Sequence, residues 1–412
     1  MSDTKSQSVP DPASQSFPAG QTLRVPCVLM RGGTSRGLIF RAADLPADQA
    51  MRDLIFLAAL GSPDIRQLDG VGAGDSHTSK ICVVEPGDGR DVDMIFQFGE
   101  VSIREARVDY AGNSGNIISA LGLYAVEEGW VPARAPETLV RIHNTNTNKR
   151  IEVAIPVADG AAALEGEFSI DGVPGTAPRV EMRFPNPGGT LTGRLLPTGN
   201  PLHSLPAGGG LDVTLLDAAN PVVLADGAAL GVSPRTPVGE LNQNGPLLER
   251  LESLRAQAAA AMGLVPRPED AWAFSNMIPF PVLLFPPQAA PRFDDPSVET
   301  PAEAVDLLAR VISLGMVHKS INVTVSVALT AAALVPGTLA HTLSGGVAAT
   351  SGRLRIGHPS GIMQTSGALV AGSPQPEVAW VGLGRTARRI MEGHILVQPH
   401  KIRRLQALLA GR

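Results

Sequence analysis

Two stretches of small apolar residues, one in each half of the chain, constrain the fold most strongly. The longer stretch runs from Val323 to Val335 and is interrupted only by Thr324, Ser326 and Thr330. It is far shorter than the ~20 residues that a membrane-spanning helix needs. Its small residues lie on all sides, which predicts a helix enclosed by sheet inside the protein. The segment Ile117 to Ala125 has the same character. Although direct sequence repetition is weak, we expect two similar lobes, each with a β-sheet wrapped around a central helix.

Around these helices, strand-like runs alternate with glycine and proline, a pattern typical of an α+β protein. The runs are Arg24 to Leu29, Ser79 to Val84, Val92 to Phe98, Thr138 to Ile142, Ile151 to Pro156, Val180 to Phe184 and Val282 to Phe285. Amphipathic helices are predicted at 47–60, 247–262 and 301–314. The helix-breaking segment 200–210 is the best candidate for the connection between lobes. The predicted first lobe is 21–200, with about 386–412 as a candidate to return to it, and the second is 201–385.

Composition and charge argue against several classes of function. The chain has 412 residues and a net charge of -5, so it has no general attraction for nucleic acid or for an anionic membrane. Cys27 and Cys82 lie in apolar contexts without a CxxC or Cys/His cluster, and we expect buried thiols rather than a disulfide or a metal site. Residues 1–20 are polar and predict a disordered tail, not a signal peptide. These features predict a cytoplasmic protein; homo-oligomer formation stays open.

The first polar segment, Met30 to Gly37, lies between two predicted strands. Its glycines let a ligand approach the backbone, and the hydroxyls of Thr34 and Ser35 can donate hydrogen bonds. Arg31 and Arg36 can neutralise carboxylates through their forked guanidinium groups. The glycine spacing and the missing Lys-[Ser/Thr] ending argue against a P-loop. A polar hairpin with two solvated arginines explains the segment equally well.

The second segment, Asp69 to Lys80, is a glycine-rich loop directly before an apolar strand. Such a loop can deliver Lys80 to a cleft at the strand edge, where partial desolvation favours the neutral amine of a general base. The alternative is an exposed lysine at a strand end. The run Asp75-Ser76-His77 contains the residue types of a hydrolase triad. However, sequence neighbours rarely assemble a triad and no Gly-x-Ser-x-Gly turn is present, so we do not expect one.

A third segment, Asp109 to Asn116, forms a turn of Gly and Asn residues that leads into the first buried helix, with Ser114 at its apex. The backbone amides at a helix start are unpaired donors at the positive end of the helix dipole. They are suited to a carboxylate or to a developing enolate oxygen. An ordinary capped helix start explains the same residues, and taken alone the turn favours that interpretation.

Two further sites combine cations or hydroxyls with tight turns. His318 and Lys319 precede the second buried helix, and the segment Arg355 to Gly361 contains His358, Ser360 and Gly361. Taken singly, a histidine in such a place is more often structural than catalytic.

Together, these segments resemble one family. The matching stretches are Met30 to Gly37, Asp69 to Lys80, Asp109 to Gly122, Asp171 to Thr176, Leu196 to Asn200, His318-Lys319, Gly357 to Gly361 and Arg385 to Met391. They occur in the order found in the PrpF-like isomerases, which include 2-methylaconitate cis-trans isomerase, 3-methylitaconate isomerase and 4-oxalomesaconate tautomerase. The resemblance covers about Arg24 to Arg404.

The resemblance implies a diaminopimelate-epimerase-like α+β fold of two pseudosymmetric lobes, each with a curled β-sheet around a central helix, and an active site in the cleft between the lobes. It also implies a cofactor-independent proton shift along an allylic or keto-enol system of an unsaturated di- or tricarboxylate, with a lysine and a cysteine as acid-base groups. Lys80 matches that lysine. Ser114 stands where the family has its cysteine, and a hydroxyl is a far weaker acid than a thiol. Three explanations stay open: an engineered replacement, an enzyme in which Lys80 acts alone, or a non-catalytic partner of an aconitase-like enzyme.

Within the family, Arg24 to Gly37, Gly61 to Gln67 and Ala106 to Tyr110 look most similar to the 4-oxalomesaconate tautomerases of aromatic-acid catabolism. Isomerisation of 2-methylaconitate or aconitate is the alternative. The catalytic residues are expected to be Lys80 and Ser114, with no metal. The residues expected to bind the substrate are Arg31, Thr34, Ser35, Arg36, Ser79, Asn113, Gly115, Asn116, His318, Lys319, His358, Ser360 and Gly361.

Overall fold

The computed structural model describes residues 21–206 and 210–410. The expected disordered tail, 1–20, and part of the expected connection, 207–209, lie outside the described residues. The strands up to residue 200 are β1 Leu23–Gly32, β2 Ser35–Arg41, β3 Lys80–Pro86, β4 Met94–Val101, β5 Val108–Asp109, β6 Glu137–Asn144, β7 Lys149–Ala158, β8 Ala161–Ala162 and β9 Val180–Pro185. The later strands are β10 His203–Leu205, β11 Leu211–Ala218, β12 Asn220–Asp226, β13 Phe280–Phe285, β14 Ala290–Pro291, β15 Glu299–Thr300, β16 Leu307–Ser313, β17 Met316–Val317, β18 Arg353–His358, β19 Gly361–Leu369, β20 Val378–Arg385 and β21 Ala387–Val397.

The α-helices lie between and outside these strands. They are α1 Gln49–Leu60, α2 Gly115–Glu127, α3 Val238–Gln243, α4 Gly245–Ala261, α5 Ala271–Phe274, α6 Val323–Leu334, α7 Leu339–Leu343, α8 Val347–Ser351 and α9 Pro399–Ala410. The amphipathic helices predicted at 47–60 and 247–262 are confirmed as α1 and α4.

The two halves of the chain repeat one order of strand pairing. In the first half, β1–β2 is antiparallel, β2–β3 parallel, β3–β4 antiparallel, β4–β6 parallel, and β6–β7 and β7–β9 antiparallel. In the second half, β11–β12 is antiparallel, β12–β13 parallel, β13–β16 antiparallel, β16–β18 parallel, and β18–β19 and β19–β20 antiparallel. Antiparallel pairing of β20 with β9 joins the halves.

An aspartate–arginine pair marks the same place in each half. Arg141 on β6 donates to Asp93, directly before β4, from its backbone N–H over 2.7 Å and from Nε over 3.0 Å. Arg355 on β18 makes the same two bonds to Asp306, directly before β16, over 2.7 and 3.1 Å. The internal repetition that is weak in the sequence is therefore clear in pairing order and in side-chain contacts.

The two small-residue stretches form the central helices. Every residue of α6 is buried, as is every residue of α2 from Gly115 to Val126. The α2 helix packs against β1, β6 and β7 of the first half and against the C-terminal β21, and α6 packs against β11, β12, β19 and β20 of the second half. Small side chains allow this close enclosure. The expected α+β architecture with enclosed central helices is observed.

The C-terminal segment packs against the beginning of the chain. β21 pairs antiparallel with β1 along its length, from Leu23 opposite Val397 to Gly32 opposite Ala387. Beyond β21, α9 packs on α1. Ile402 and Leu405 of α9 are buried in the same apolar cluster as the buried residues of α1.

The helix predicted at 301–314 is wrong. A short 3-10 turn occupies Ala302–Ala304, and β16 follows from Leu307 to Ser313. Every residue of β16 is buried between β13 and β18. A run that is mainly apolar on both faces suits an interior strand, and this burial overrides the helical pattern of the sequence.

We predict that Gly115→Ala destabilises the fold, because the starts of α2 and α6 touch there. A Cβ atom on Gly115 would lie 2.7 Å from Cβ of Val323. Overpacking of this kind lowers the free energy of unfolding by about 1–3 kcal/mol, measurable by urea denaturation. Gly239→Ala in α3 is the control, since a Cβ atom there meets nothing within 4 Å. Equal stability of the two variants would contradict the proposed close contact.

Candidate active site

The turn between β1 and β2 packs directly on the start of α2. A Cβ atom on Gly32 would overlap the backbone oxygen of Asn116, and one on Gly33 would overlap its side chain, so this approach requires glycine. The Asn116 amide donates from Nδ2 to Thr34 Oγ1 over 3.1 Å. Ser35 is buried at the start of β2. The first segment predicted to bind carboxylates therefore lies against the predicted helix start.

Two loops of the second half reach the same place. The hydroxyl oxygens of Thr34 and Ser320 are 3.2 Å apart. A Cβ atom on Gly172, whose φ is +86°, would lie 3.3 Å from Thr34 Cγ2 and from Ser360 Cβ. Ser360 Oγ donates to the backbone oxygen of Lys319 over 2.6 Å. Thr34, Asn116, Lys319 and Ser360, predicted separately, are thus brought together between the two halves.

The glycine-rich loop before β3 is fixed by buried side chains. Ser79 Oγ donates to the backbone oxygen of Val101 over 2.7 Å and accepts from Gln67 Nε2 over 2.6 Å. The backbone N–H of Arg36 on β2 donates to the His77 oxygen over 2.9 Å. The Ser79 hydroxyl is therefore engaged within the loop, where it positions the next residue, Lys80.

Lys80 is buried and forms an ion pair with a carboxylate on the neighbouring strand. Its Nζ lies 2.5 Å from Glu100 Oε2, and the two residues are 4 % and 1 % exposed. Burial raises the pKa of Glu100 to about 7, against the opposing charge of Lys80. Glu100 Oε1 has no partner among the described residues. Lys80 is not the exposed strand-end lysine that the sequence left open.

Asp75, His77 and Ser320 form a chain of hydrogen bonds across the two halves. His77 Nδ1 lies 2.6 Å from Asp75 Oδ1, and His77 Nε2 lies 3.1 Å from Ser320 Oγ. Lys319 Nζ pairs with the other oxygen of Asp75 over 2.6 Å. Burial alone would raise the pKa of Asp75, but the hydrogen bonds and charges of His77 and Lys319 outweigh it and hold that pKa well below its usual range.

His318 stacks on His77 with ring centroids 4.0 Å apart. Burial lowers the pKa of His318 well below its usual value, and the nearby charges of His77 and Lys80 lower it further. Its Nδ1 accepts a hydrogen bond from the backbone N–H of Ser320 over 3.2 Å. His318 is therefore a neutral neighbour of the hydrogen-bonded residues Asp75, His77 and Ser320, and its own Nδ1 already accepts a hydrogen bond.

The turn that carries Ser114 is held by buried polar residues on both sides. Asp109 accepts from the Ala111 N–H over 2.8 Å and from Ser275 Oγ over 2.7 Å. Asn220 on β12 accepts from the Asn113 N–H over 3.0 Å and donates to the Asn113 oxygen over 2.9 Å. Ser114 itself is the N-cap of α2, half-buried, and its side chain makes no capping hydrogen bond. Its hydroxyl is thus not used to close the helix.

The two arginines of the first segment have different environments. Arg31 donates from Nη1 to the backbone oxygens of Gly33 and Thr386, and to Thr386 Oγ1 over 3.0 Å. It also lines a separate hollow of ≈ 500 Å³ together with Leu123, Val173 and Arg388. Arg36 has a buried Nε without a partner among the described residues. Arg31 is thus committed to holding the turn against β21.

A second group of cations surrounds the turn after β18. The backbone N–H of Ser360 donates to His358 Nδ1 over 3.2 Å. Burial, together with the charges of Arg385, Arg310 and Arg292, lowers the pKa of His358 to about 3. Gly361 packs on the carboxylate of Asp171, which accepts from the N–H of Ile362 over 2.6 Å. His358 is therefore neutral and structural in its contacts.

Arg385 is a buried cation beside the Gly33 turn. Its Cδ would lie 3.1 Å from a Cβ atom on Gly33, and its Nε has no partner among the described residues. Burial lowers its pKa to about 9, against the opposing charge of Asp171. A buried guanidinium beside Thr34 and Asn116 is suited to a carboxylate ligand.

The site predicted from the sequence lacked four residues that the structure places in or beside it: Glu100, Asn220, Ser320 and Arg385. Arg385 belongs to the matching stretch near the C-terminus, which offered a signal. Asn220 and Ser320 act through partners distant in sequence, which no local pattern reveals. Glu100 lies on an apolar strand, where its charge was the one unusual feature.

Among residues 21–206 and 210–410, no cluster of three or more His, Cys, Asp or Glu side chains is arranged to hold a metal ion. No helix in that part of the chain is long and apolar enough to cross a membrane. Cys27 and Cys82 are buried free thiols, as predicted, and burial raises the pKa of both. Although Cys82 lies two residues beyond Lys80, it is sealed in the core and offers no accessible thiol in place of Ser114.

Comparisons with known proteins cover most of the chain. The family model described as PrpF protein matches residues 22–398. A 3-methylitaconate isomerase from Eubacterium barkeri is 36% identical over 92% of this chain and 99% of its own. A 4-oxalomesaconate tautomerase from Pseudomonas putida is 38% identical over 92% of this chain and 97% of its own.

Solved structures agree with these sequence relatives. A crystal structure of a methylitaconate delta-isomerase superposes with a TM-score of 0.73 at 36% identity, covering 92% of this chain and 97% of that chain. A hydroxyproline epimerase from Agrobacterium vitis gives a TM-score of 0.54 at 13% identity, covering 92% and 94%. The second likeness concerns the fold alone. Both confirm the expected diaminopimelate-epimerase-like fold.

We predict a pH-dependent stability difference between the parent and Glu100→Gln. Because the folded-state pKa of Glu100 is raised to about 7, its contribution to stability is fully present below the unfolded pKa and is lost as pH rises through about 7. The free energy of unfolding of the parent, minus that of Glu100→Gln, should therefore fall between pH 5 and pH 8 in urea titrations. Glu377→Gln, at an exposed glutamate, is the control. A pH-independent difference for Glu100→Gln would contradict the raised pKa.

Proposed function

This chain belongs to the PrpF family, and from that premise we propose that it is a cofactor-independent isomerase. It moves a proton along the allylic or keto-enol system of an unsaturated tricarboxylate, with 4-oxalomesaconate as the proposed substrate. The observation that carries this proposal is the buried Lys80–Glu100 pair, in which Glu100 lies opposite Asp109 at the beginning of the turn into α2, and Lys80 is close enough for its charge to act on His318 before α6. Full-length similarity to named isomerases and tautomerases supports it.

Lys80 is the proposed acid-base residue. When the proton of the Lys80–Glu100 pair lies on Glu100, the neutral amine of Lys80 takes a proton from the substrate carbon, and the C–H electron pair moves into the conjugated system to form an enolate or dienolate. Glu100 can hold the resulting ammonium through the 2.5 Å contact. With its pKa raised to about 7, Glu100 also makes the charge of the pair sensitive to pH near neutrality.

The start of α2 is the proposed site of enolate stabilisation. The first N–H groups of a helix lack intrahelical partners and lie at the positive end of the helix dipole. Gly115 and Asn116 provide these groups, and their position against α6 and the Gly32–Gly33 turn excludes water from one side. Such preorganised donors stabilise charge as it develops in the transition state.

The carboxylates of the substrate are proposed to bind at Thr34, Asn116, Ser360 and Arg385, which surround one region of the cleft. Lys319 is half-exposed at its edge and supplies a further cation. In this proposal Arg31 has a positioning role, because its guanidinium already bonds to Gly33 and Thr386.

Ser114 is proposed to orient a carboxylate or a water molecule. Its hydroxyl makes no capping hydrogen bond to the start of α2. A serine hydroxyl does not exchange a proton at neutral pH without a base. Neither buried cysteine replaces the family thiol. We therefore propose that the proton shift does not depend on residue 114.

The choice of 4-oxalomesaconate rests on sequence segments, chiefly Arg24 to Gly37 and Ala106 to Tyr110. Identities of 38% to the tautomerase and 36% to the methylitaconate isomerase support the class of unsaturated carboxylates without separating its members. Aromatic-acid catabolism and a cytoplasmic location are part of the same proposal. The substrate test is therefore a panel of 4-oxalomesaconate, 3-methylitaconate, 2-methylaconitate and trans-aconitate, followed by ultraviolet absorbance.

Lys80→Met is predicted to reduce turnover on the active member of the panel by about 10²–10⁴-fold, the usual contribution of a positioned acid-base group. Because this change leaves Glu100 buried without its cation, the double variant Lys80→Met/Glu100→Gln controls for destabilisation. Both should be folded by circular dichroism and equally inactive. Near-parental turnover by either folded variant would remove Lys80 from the mechanism.

Ser114→Cys and Ser114→Ala are predicted to change turnover by less than about 10-fold, because residue 114 does not carry the proton. A rise of two to four orders of magnitude in Ser114→Cys, together with a new thiol-dependent limb in its pH profile, would instead show that an acid-base group had been lost. Inactivity of the parent and both variants on every acid would favour a non-catalytic partner role.

A further inference from the structure

The chain Asp75–His77–Ser320 has the connectivity of a serine–histidine–aspartate triad. The carboxylate faces Nδ1 of the imidazole over 2.6 Å, and Nε2 faces the serine hydroxyl over 3.1 Å. The serine is not the sequence neighbour Ser76 but Ser320, on a loop 243 residues from His77. Folding has therefore assembled an arrangement that we did not expect from the sequence.

Asp75 is built to orient the imidazole. Its Oδ1 accepts from the backbone N–H of His77 over 2.9 Å as well as facing the ring, and its Oδ2 pairs with Lys319. The backbone oxygen of Asp75 accepts from Thr78 Oγ1 over 3.1 Å. Both carboxylate oxygens are thus engaged, which fixes the carboxylate and the ring in one orientation.

The charged and titratable groups around His77 come from several elements. Asp75 lies on the same loop, and His318 and Lys319 lie on the loop before α6. Lys80 on β3 is close enough for its charge to act on His318. Arg36 on β2 contacts His77 through its backbone N–H. Burial keeps His318 neutral, and its Nδ1 already accepts from the Ser320 N–H, whereas His77 faces Asp75 at Nδ1 and the Ser320 hydroxyl at Nε2.

The serine end of the chain reaches the proposed substrate cleft. Ser320 Oγ lies 3.2 Å from Thr34 Oγ1, which accepts from Asn116 Nδ2. Asn116 is in the first turn of α2, two residues beyond Ser114. The Ser320 hydroxyl is thus next to the groups proposed to hold the substrate. This protein has a serine, not a thiol, at residue 114.

We propose that Ser320, polarised by His77 and Asp75, is the second proton-transfer group of this active site. This rests on the proposed isomerase function. Lys80 removes a proton from one carbon, whose C–H electron pair enters the conjugated system. The Ser320 O–H then gives its proton to the other end of that system, forming the new C–H bond, while the imidazolium of His77 returns a proton to the serine oxygen. Lys80 ends as an ammonium and His77 as a neutral imidazole, and solvent exchanges the proton between them.

The test separates removal of the proton from its delivery. The parent, Lys80→Met, His77→Gln and Ser320→Ala are incubated in D₂O with the panel acid that the parent converts, and proton NMR follows deuterium entry into the reactant and formation of product. We expect both processes in the parent and neither in Lys80→Met. In His77→Gln and Ser320→Ala, product formation should fall by about 100-fold or more while deuterium still enters the reactant. His203→Gln on the edge strand β10 is the matched control and should behave as the parent.

Three outcomes would overturn the proposed proton relay through Asp75, His77 and Ser320. Product formation at the parental rate in folded His77→Gln or Ser320→Ala overturns it directly. An equal fall in deuterium entry and in product formation shows a structural role only. A parent that neither exchanges nor isomerises any acid overturns the proposed function and the relay with it, whereas the first two outcomes leave the isomerase function standing.

Discussion

The contact between the starts of α2 and α6 governs the rest of the structure. Each helix is enclosed by its own sheet, and they approach each other where Gly115 lies against Val323. Asn220 fixes this contact, because its amide donates both to the Asn113 oxygen and to Thr324 Oγ1 over 2.8 Å. Two helix starts of like dipole direction are therefore held at one point, and the unpaired N–H groups there favour bound negative charge. The loops around this point become the walls of the site.

The two halves share one order of strand pairing but contribute different functional residues. The order of strand pairing and the Asp–Arg pair are repeated, yet β3 begins with Lys80 whereas β13 begins with Phe280. The first half thus supplies the buried amine and its carboxylate partner. The second half supplies the loops at Lys319–Ser320 and at Ser360, which bond to His77 and to each other. A duplicated scaffold places both contributions at the common helix starts without requiring that the halves share catalytic residues.

The features that could be predicted from the sequence are those with a local signal. The central helices were predictable because small apolar residues cover all their sides, and the Thr34, Lys80 and Ser114 segments because glycine and polar residues interrupt apolar runs. Family resemblance then grouped these segments. What could not be predicted depends on distant pairing: Glu100 acts through its strand register with Lys80, and Ser320 is brought to His77 by the packing of the halves. The wrong helix at 301–314 has the same origin, since only its neighbours make β16 an interior strand.

The electrostatics of the cleft are compatible with the proposed anionic substrate although the chain has a net charge of -5. Lys80 and Arg385 are buried, and Arg385 lies beside the Gly33 turn that packs on Asn116 at the start of α2. Burying a cation without full compensation is unfavourable by several kcal/mol. Burial and these neighbouring positive charges together keep His318 and His358 neutral, so they add no further repulsion among the cations. The proposed anionic substrate offsets part of the desolvation penalty of Lys80 and Arg385. The same two cations therefore weaken the unliganded fold and strengthen binding of that substrate. The positive potential is therefore local, set by a few buried side chains, and suits the carboxylates and enolate of the proposed substrate better than an extended polyanion.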